Sequence, residues 1–97
     1  MFAVVRQAKL QPGKTAEFTA KAEQTAQAMT GQIAGFKAFY IIAGEDDNMC
    51  TVSVFETKAQ ADAAQAAIGE QVQAAFASFL ASPPTLLAGN VAVAKTF

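Results

Sequence analysis

The chain has 97 residues, of which 53% are apolar and 15% charged, and its formal net charge is −1 at pH 7. This length and composition predict one globular domain over residues 1–97 and exclude a disordered chain. The near-neutral charge leaves no basic face for nucleic acid. The chain has no His and no Trp, and the absence of His excludes imidazole catalysis and imidazole ligation of haem or zinc.

Cellular location is indicated by the cysteine content and by the apolar segments. The single cysteine, Cys50, has no partner for an internal disulfide, as is typical of proteins in a reducing compartment. The N-terminal apolar run Met1–Val5 is too short for the core of a signal peptide, and no stretch reaches the ~20 apolar residues of a membrane span. We therefore expect a cytoplasmic protein that has no contact with a membrane.

The first half of the chain predicts a strand followed by a helix. Residues Phe2–Leu10 mix β-branched and polar side chains and stop at the turn signal Pro12-Gly13. The apolar residues that follow recur at the spacing of one helical face. They are Phe18, Ala22, Ala26 and Met29. This spacing predicts a helix over 14–31 that ends at Gly31.

Two further strands are predicted to form a hairpin. Residues Phe36–Ala43 and Met49–Phe55 are rich in β-forming side chains, and the Gly, Asp and Asn residues of segment 44–48 between them are typical of a hairpin loop. The acidic run Glu45–Asp47 in this loop lacks the spacing of a cation-binding loop. We expect it to be a solvated turn and expect no metal site.

A second helix is predicted after Thr57, which forms a capping box with Gln60. Its apolar stripe repeats the spacing of the first helix, with Ile68, Val72, Phe76 and Phe79. Gly69 favours a break or kink within this stripe, and Ser82-Pro83-Pro84 ends the helix. A last strand is expected over Asn90–Thr96.

The resulting β-α-β-β-α-β order is the ferredoxin-like α+β pattern, a four-stranded antiparallel sheet with both helices on one face. Strict alternation along the second strand places apolar side chains on both sides of the sheet: Phe36, Ala38, Tyr40 and Ile42 on one, Phe39, Ile41 and Ala43 on the other. Since two helices cover only one face, an apolar face of about 500 Å² remains. The pattern predicts a homodimer through this open face, with a merely apolar-biased free surface as the alternative.

Three stretches carry a resemblance to a known family. They are Val4–Lys14, where a strand runs through Pro12-Gly13-Lys14 into a helix, Gly35-Phe36 at the start of the second strand, and Val52–Thr57 before the second helix. In these the chain resembles the antibiotic-biosynthesis-monooxygenase-like group of the dimeric α/β-barrel superfamily. The resemblance implies a dimeric α/β barrel with one pocket per subunit between sheet and helices. Enzymes of this group oxygenate aromatic polyketides without metal or flavin, or cleave haem; relatives isomerise small lactones or have no known activity.

Haem cleavage is disfavoured at the matching positions. The resemblance places Arg6 near the Asn of the haem-cleaving members and Phe55 at their Trp, while their axial His on the second helix has no counterpart. We therefore expect no cofactor.

Arg6 and Tyr40 are the candidate catalytic residues. The Arg6 guanidinium would hold a carboxylate or enolate oxygen through charge-assisted hydrogen bonds. The alternatives are a plain strand-end arginine, or one that is paired with Glu56 across the sheet or across the dimer interface. Tyr40 is the only tyrosine and is expected inside, where its hydroxyl orients a substrate oxygen or anchors the structure. Cys50 has no neighbouring base and is expected to be a packed strand thiol.

Aromatic and hydroxyl side chains are available for a pocket. The candidates for its lining are Phe18, Thr51, Ser53, Phe55 and Phe76. The aromatic members also suit a plain hydrophobic core, which is the alternative. The leading hypothesis is a small cofactor-independent monooxygenase that acts on an aromatic or polyketide-like small molecule. The other is a non-catalytic dimeric module of the same fold that binds small molecules or serves a stress response.

Overall fold

The helices and strands follow one another along the chain in the order that the sequence predicts. The computed structural model describes residues 1–31 and 33–96, without the side chains of Thr30 and of Met29, the last member of the predicted first stripe. Its elements are β1 (Phe2–Lys9), α1 (Thr15–Thr30), β2 (Phe36–Ala43), β3 (Asn48–Phe55), α2 (Lys58–Phe76), a 3₁₀ turn (Ala77–Phe79) and β4 (Thr85–Asn90). Over these residues the strands form an antiparallel sheet in the order β2-β3-β1-β4, which confirms the ferredoxin-like α+β fold.

The hydrophobic core lies between the helices and one face of the sheet, and it is divided in two. One buried cluster joins α1 to the end of β1 and the start of β3, with Ala8, Leu10, Phe18, Ala22 and Met49. The other joins α2 to the opposite ends of the same strands, with Phe2, Phe55, Ala61 and Ala64. The centres of β1 and β3 therefore lie between two packed regions.

The predicted helix signals are found at both helices. Phe18 and Ala22 of the first stripe are each only 2% exposed, and the Gln60 backbone N–H donates to Thr57 Oγ1 at 3.2 Å as an N-cap. α2 runs unbroken through Gly69, so the expected break is wrong, and Phe79 lies beyond the α-helix in the 3₁₀ turn. Neither of the two α-helices described is long and apolar enough to cross a membrane.

The loop between β2 and β3 is a tight turn. The Gly44 N–H donates to the Asn48 carbonyl at 2.8 Å, which closes the hairpin. Asp46 and Asp47 have φ of 55° and 63°, a left-handed conformation that aspartate tolerates better than most residues. The acidic run therefore shapes the turn, and the Asp47 carbonyl also accepts from the Leu10 N–H at 2.8 Å.

An irregularity in β2 changes which side chains face the helices. Phe36 is paired with Phe55, whereas Ala38 is paired with Val54, so Lys37 is an extra residue in the ladder. Phe36 thus lies on the helix side, where its ring stacks on Phe55 at 5.3 Å between centroids. The predicted alternation, which placed Phe36 and Tyr40 on the same face of the sheet, is wrong. An inserted residue shifts the alternation by one, so the residues before and after Lys37 no longer follow one alternating pattern.

The last strand is β4, Thr85–Asn90, and the expectation of a strand over Asn90–Thr96 is wrong. β4 pairs with β1 from Gln7↔Thr85 to Phe2↔Asn90, and the Val91 N–H donates to the Met1 carbonyl at 2.8 Å. β1 begins at Phe2, so the ladder has no partner for a strand that continues to Thr96. All six residues of β4 are exposed. A strand without a buried face needs no alternation of apolar and polar residues, so the sequence carries no such pattern to indicate it.

Candidate functional site

A cavity of about 1060 Å³ lies between the helices and the sheet, over the centres of β1 and β3. The strand ends are filled by the two buried clusters, but the central inward-facing residues are smaller or polar and only half-buried. These residues are Val4, Arg6, Thr51 and Ser53. Because they do not fill the space beneath the helices, the core is open at its middle.

The floor of the cavity carries a cation beside two hydroxyl-bearing side chains. Arg6 is paired with Thr51 across the β1–β3 ladder, and Val4 is paired with Ser53. Adjacent strands are about 4.8 Å apart. Arg6, Thr51 and Ser53 are therefore neighbouring residues on the helix-facing side of the sheet.

Aromatic rings form the two ends of the cavity. Phe18 contacts Phe76 with 5.2 Å between ring centroids, and Phe36 stacks on Phe55 at the other end. The structure places all five residues considered for the lining on the cavity wall: Phe18, Thr51, Ser53, Phe55 and Phe76. The space between the rings suits a planar, largely apolar molecule with polar atoms on one edge.

Arg6 is held toward α2 by a neutral group. Its Nη2 donates to the side-chain Oε1 of Gln65 at 3.0 Å. Burial lowers the pKa of the Arg6 guanidinium below its ordinary value, but arginine remains protonated throughout the physiological range. The alternative pairing of Arg6 with Glu56 across the sheet is wrong, because the Glu56 carboxylate lies 3.4 Å from the Lys37 ammonium instead.

Gln65 was not among the residues singled out from the sequence. It precedes Ile68 by three residues and so continues the apolar stripe of α2 toward the N-terminus. A polar residue at an apolar stripe position is the sequence signal by which Gln65 could have been recognised as a site residue. Gly69, one turn further on, has no Cβ, and a Cβ there would overlap the Gln65 amide. The glycine that was expected to break the helix thus makes room for this side chain.

Tyr40 lies on the opposite face of the sheet. It is paired with Val52 and is 59% exposed, so the expectation that it lies inside is wrong. The inserted residue in β2 assigns Phe39 and Ile41 to the helix side and leaves Tyr40 outside. The structure therefore separates the two candidate catalytic residues by the thickness of the sheet.

The cavity opens at the edge of the sheet formed by β4. Leu86 is paired with Arg6 and Ala88 with Val4, and both line the cavity. Leu86 is nevertheless 59% exposed, because α2 lies over β1 and β3 and leaves β4 largely uncovered. The side of the cavity between α2 and β4 is therefore exposed.

Few charged groups reach the cavity. Among the described residues that line it, the charged ones are Arg6, Lys58 and Asp62. Lys58 and Asp62 form an exposed ion pair at 2.9 Å on the first turns of α2. Within residues 1–31 and 33–96, no three His, Cys, Asp or Glu side chains are grouped to hold a metal ion.

Among the described residues, the structure thus combines a ferredoxin-like fold with a cavity between sheet and helices, and the cation on the cavity floor has a neutral amide as its side-chain partner. Residues 1–83 match the family described as antibiotic biosynthesis monooxygenase, and the chain belongs to that family. No curated protein matches the sequence.

Solved structures with the same fold have low sequence identity. A monooxygenase of Streptomyces coelicolor, in complex with the ligand nanaomycin D, superposes with a TM-score of 0.82 at 17% identity, over 98% of this chain and 90% of that one. A MhuD variant with two manganese protoporphyrin IX molecules per active site gives 0.80 at 15% identity over 100% of both chains. A protein of unknown function from Nitrosomonas europaea gives 0.76 at 21% identity, over 98% of this chain and 92% of that one.

Proposed function

We propose that the protein is a cofactor-independent monooxygenase that oxidises an acidic, planar aromatic molecule bound in the cavity. The observation that carries the proposal is the Arg6 guanidinium, which lies half-buried on the floor of a mainly apolar cavity and has a neutral amide as its side-chain partner. A desolvated cation without a carboxylate partner favours an anionic ligand, because charge-assisted hydrogen bonds are about twice as strong as neutral ones. Family membership supports the reaction class.

The chemistry needs no general base from the protein. A phenol or enol conjugated to an activated CH₂ group ionises in water, and the Arg6 cation stabilises the resulting anion. The anion transfers electrons to O₂, a carbon–oxygen bond forms, and loss of water leaves a carbonyl group. The balance is CH₂ + O₂ → C=O + H₂O, in which the substrate itself supplies all the electrons. Thr51 and Ser53 would donate hydrogen bonds to oxygen atoms on the same edge of the substrate.

Haem does not fit the residues of the cavity. The chain contains no His, and the side chains of Cys50 and Tyr40 are on the other face of the sheet. Among the described residues that line the cavity, none offers an imidazole, a thiolate or a phenolate. These are the ligands that hold haem iron in most haem proteins.

The test is oxygen uptake with 1,8-dihydroxyanthrone, a planar phenol with an activated CH₂ group. Uptake above the protein-free rate, with one atom of ¹⁸O from ¹⁸O₂ in the product, is the expected result. Arg6→Met should abolish the increase, whereas Lys9→Met, which removes an exposed cation from the same strand, should retain it. Uptake that is equal with and without protein would contradict the proposal.

Binding without turnover is the second candidate function. It is favoured by the absence of His from the chain and by the position of Tyr40 outside the cavity, which leave few groups for proton transfer. Ligand binding that raises the melting temperature by mass action, without oxygen uptake, would support it.

We further propose that the protein forms a homodimer through the open face of the sheet, in a reducing cytoplasm where Cys50 stays a free thiol. An apolar row crosses all the paired strands on that face, from Tyr40 through Val52 and Val5 to Leu87. Leu87 is 72% exposed and Tyr40 59%. A face of about 500 Å² on each subunit buries about 1000 Å² in total, the lower bound of a specific interface.

Sedimentation velocity at micromolar concentration tests the homodimer. Leu87→Lys places a charge in the apolar row and should give monomers without loss of folding, because this side chain is already exposed in the subunit. Gln24→Lys, on the exposed part of α1, is the control and should stay dimeric. A monomeric wild-type protein would contradict the proposal.

A further inference from the structure

Gln65 connects the helix to the cation of the cavity. Its Oε1 accepts from Arg6 Nη2 at 3.0 Å, and the nitrogen end of its amide lies over Gly69. Gly69 is buried, so the space that the missing Cβ leaves is taken by this amide and not by solvent. The glycine thus leaves room for the Gln65 amide, and the amide in turn accepts the hydrogen bond of the guanidinium.

The charge of the cavity depends on the neutrality of this amide. Arg6 contributes +1, while Lys58 and Asp62 neutralise one another at 2.9 Å. Asp62 lies three residues before Gln65, on the neighbouring turn of α2, and is the acidic group among the described lining residues. Its carboxylate is engaged by Lys58, so the guanidinium keeps an uncompensated charge.

We propose that Gln65 is the positioning residue that sets the charge selectivity of the cavity, with Gly69 providing its space. The inference rests on the proposed function, in which the cavity binds a small aromatic molecule, and deepens it by assigning the preference for an anion to one residue. A glutamate at this position would accept the same hydrogen bond but would neutralise Arg6. The amide orients the guanidinium and leaves its charge for the ligand.

The experiment compares two probes that differ in charge and little in shape. 2-Hydroxy-1,4-naphthoquinone is an acidic enol and an anion at neutral pH, whereas its 2-methoxy analogue is uncharged. Their affinities are measured by titration calorimetry with the wild type, Gln65→Glu and Gln65→Met. Gln71→Glu is the matched control, because it makes the same chemical change at an exposed position of α2 outside the cavity.

Wild-type protein should bind the anion more tightly than the methoxy analogue. Gln65→Glu should weaken anion binding by about tenfold or more, equivalent to 1.4 kcal/mol, and leave binding of the methoxy analogue within about twofold. Gln65→Met retains the charge of Arg6 but not its orientation, so its loss of anion affinity should be smaller. Gln71→Glu should bind both probes as the wild type does.

A second measurement does not depend on any ligand. Urea unfolding of Arg6→Met, Gln65→Glu and the double variant forms a cycle, in which the introduced carboxylate should stabilise only the protein that retains Arg6. Absence of this coupling would overturn the inference, as would a Gln65→Glu variant with unchanged anion preference. The proposed oxygenation is tested by a different result, the oxygen uptake of the wild type, so the failure of one proposal can be told from the failure of the other.

Discussion

Replacement of Arg6 by Met should separate ligand binding from stability. Met retains most of the aliphatic length of the side chain and removes the cation, so the floor of the cavity stays covered. A hydrogen bond to a charged group contributes about 1.5–3 kcal/mol, and each 1.4 kcal/mol is a factor of ten in affinity. Because the guanidinium is only half-buried and the cavity opens beside β4, the lower end applies. We expect about a 10- to 30-fold loss of affinity for an anionic naphthoquinone.

The free energy of unfolding should change far less than the affinity. The variant loses a solvent-accessible hydrogen bond to Gln65, of about 0.5–1.5 kcal/mol, but it also removes the cost of partly desolvating a cation. These effects have opposite signs, so the net change should be within about 1 kcal/mol.

Calorimetric titration with the charged and uncharged naphthoquinones gives the affinities, and urea unfolding followed by circular dichroism gives the stability. Lys9→Met, on the same strand but exposed, is the control and should change neither quantity. Equal affinity of Arg6→Met and wild type for the anion would refute the role of the cation. A loss of stability above about 3 kcal/mol would instead make Arg6 a structural residue.

Three further outcomes follow from the same geometry. Phe18→Ala, which empties a site only 2% exposed against Phe76, should cost about 3–5 kcal/mol in urea unfolding; a cost below about 1 kcal/mol would mean that the cavity ends are not packed. Lys58→Met should free the Asp62 carboxylate to compete with the ligand for the Arg6 cation. Anion binding should weaken by only about 1.5- to 5-fold, because exposed ion pairs are weak, and calorimetry that detects no loss would contradict this. Tyr40→Phe should leave anion affinity and oxygen uptake unchanged, because the hydroxyl lies on the other face of the sheet, and lost activity would place it in the site.

The local signals in the sequence predicted the elements that depend on near neighbours. The spacing of Phe18 and Ala22 predicted α1, the Thr57–Gln60 cap predicted the start of α2, and the loop at 44–48 predicted the hairpin. Each of these signals operates within a few residues, through helical periodicity, a capping hydrogen bond or turn conformation. Together they specify the order of both helices and of the hairpin between them, but not the position of the last strand.

Features that depend on distant parts of the chain were not predictable in the same way. β4 is a strand because Thr85–Asn90 pairs with β1, and its exposed faces leave no apolar alternation to indicate it. The inserted residue in β2 reversed the faces of Phe36 and Tyr40. Neither pairing nor a bulge has a composition of its own, so alternation alone assigns such faces incorrectly.

The sequence by itself determined the fold class, the family and the residue types available to the site. It placed Arg6 on the first strand and Thr51 and Ser53 on the third, each on a strand face that it shares with apolar residues. Only the tertiary structure decided that Arg6 meets Gln65, which lies 59 residues further along the chain. Such a contact arises from the packing of α2 over β1 and from the space left by Gly69. Periodicity shows which face of an element is buried, but the neighbour that it meets there depends on the assembled fold.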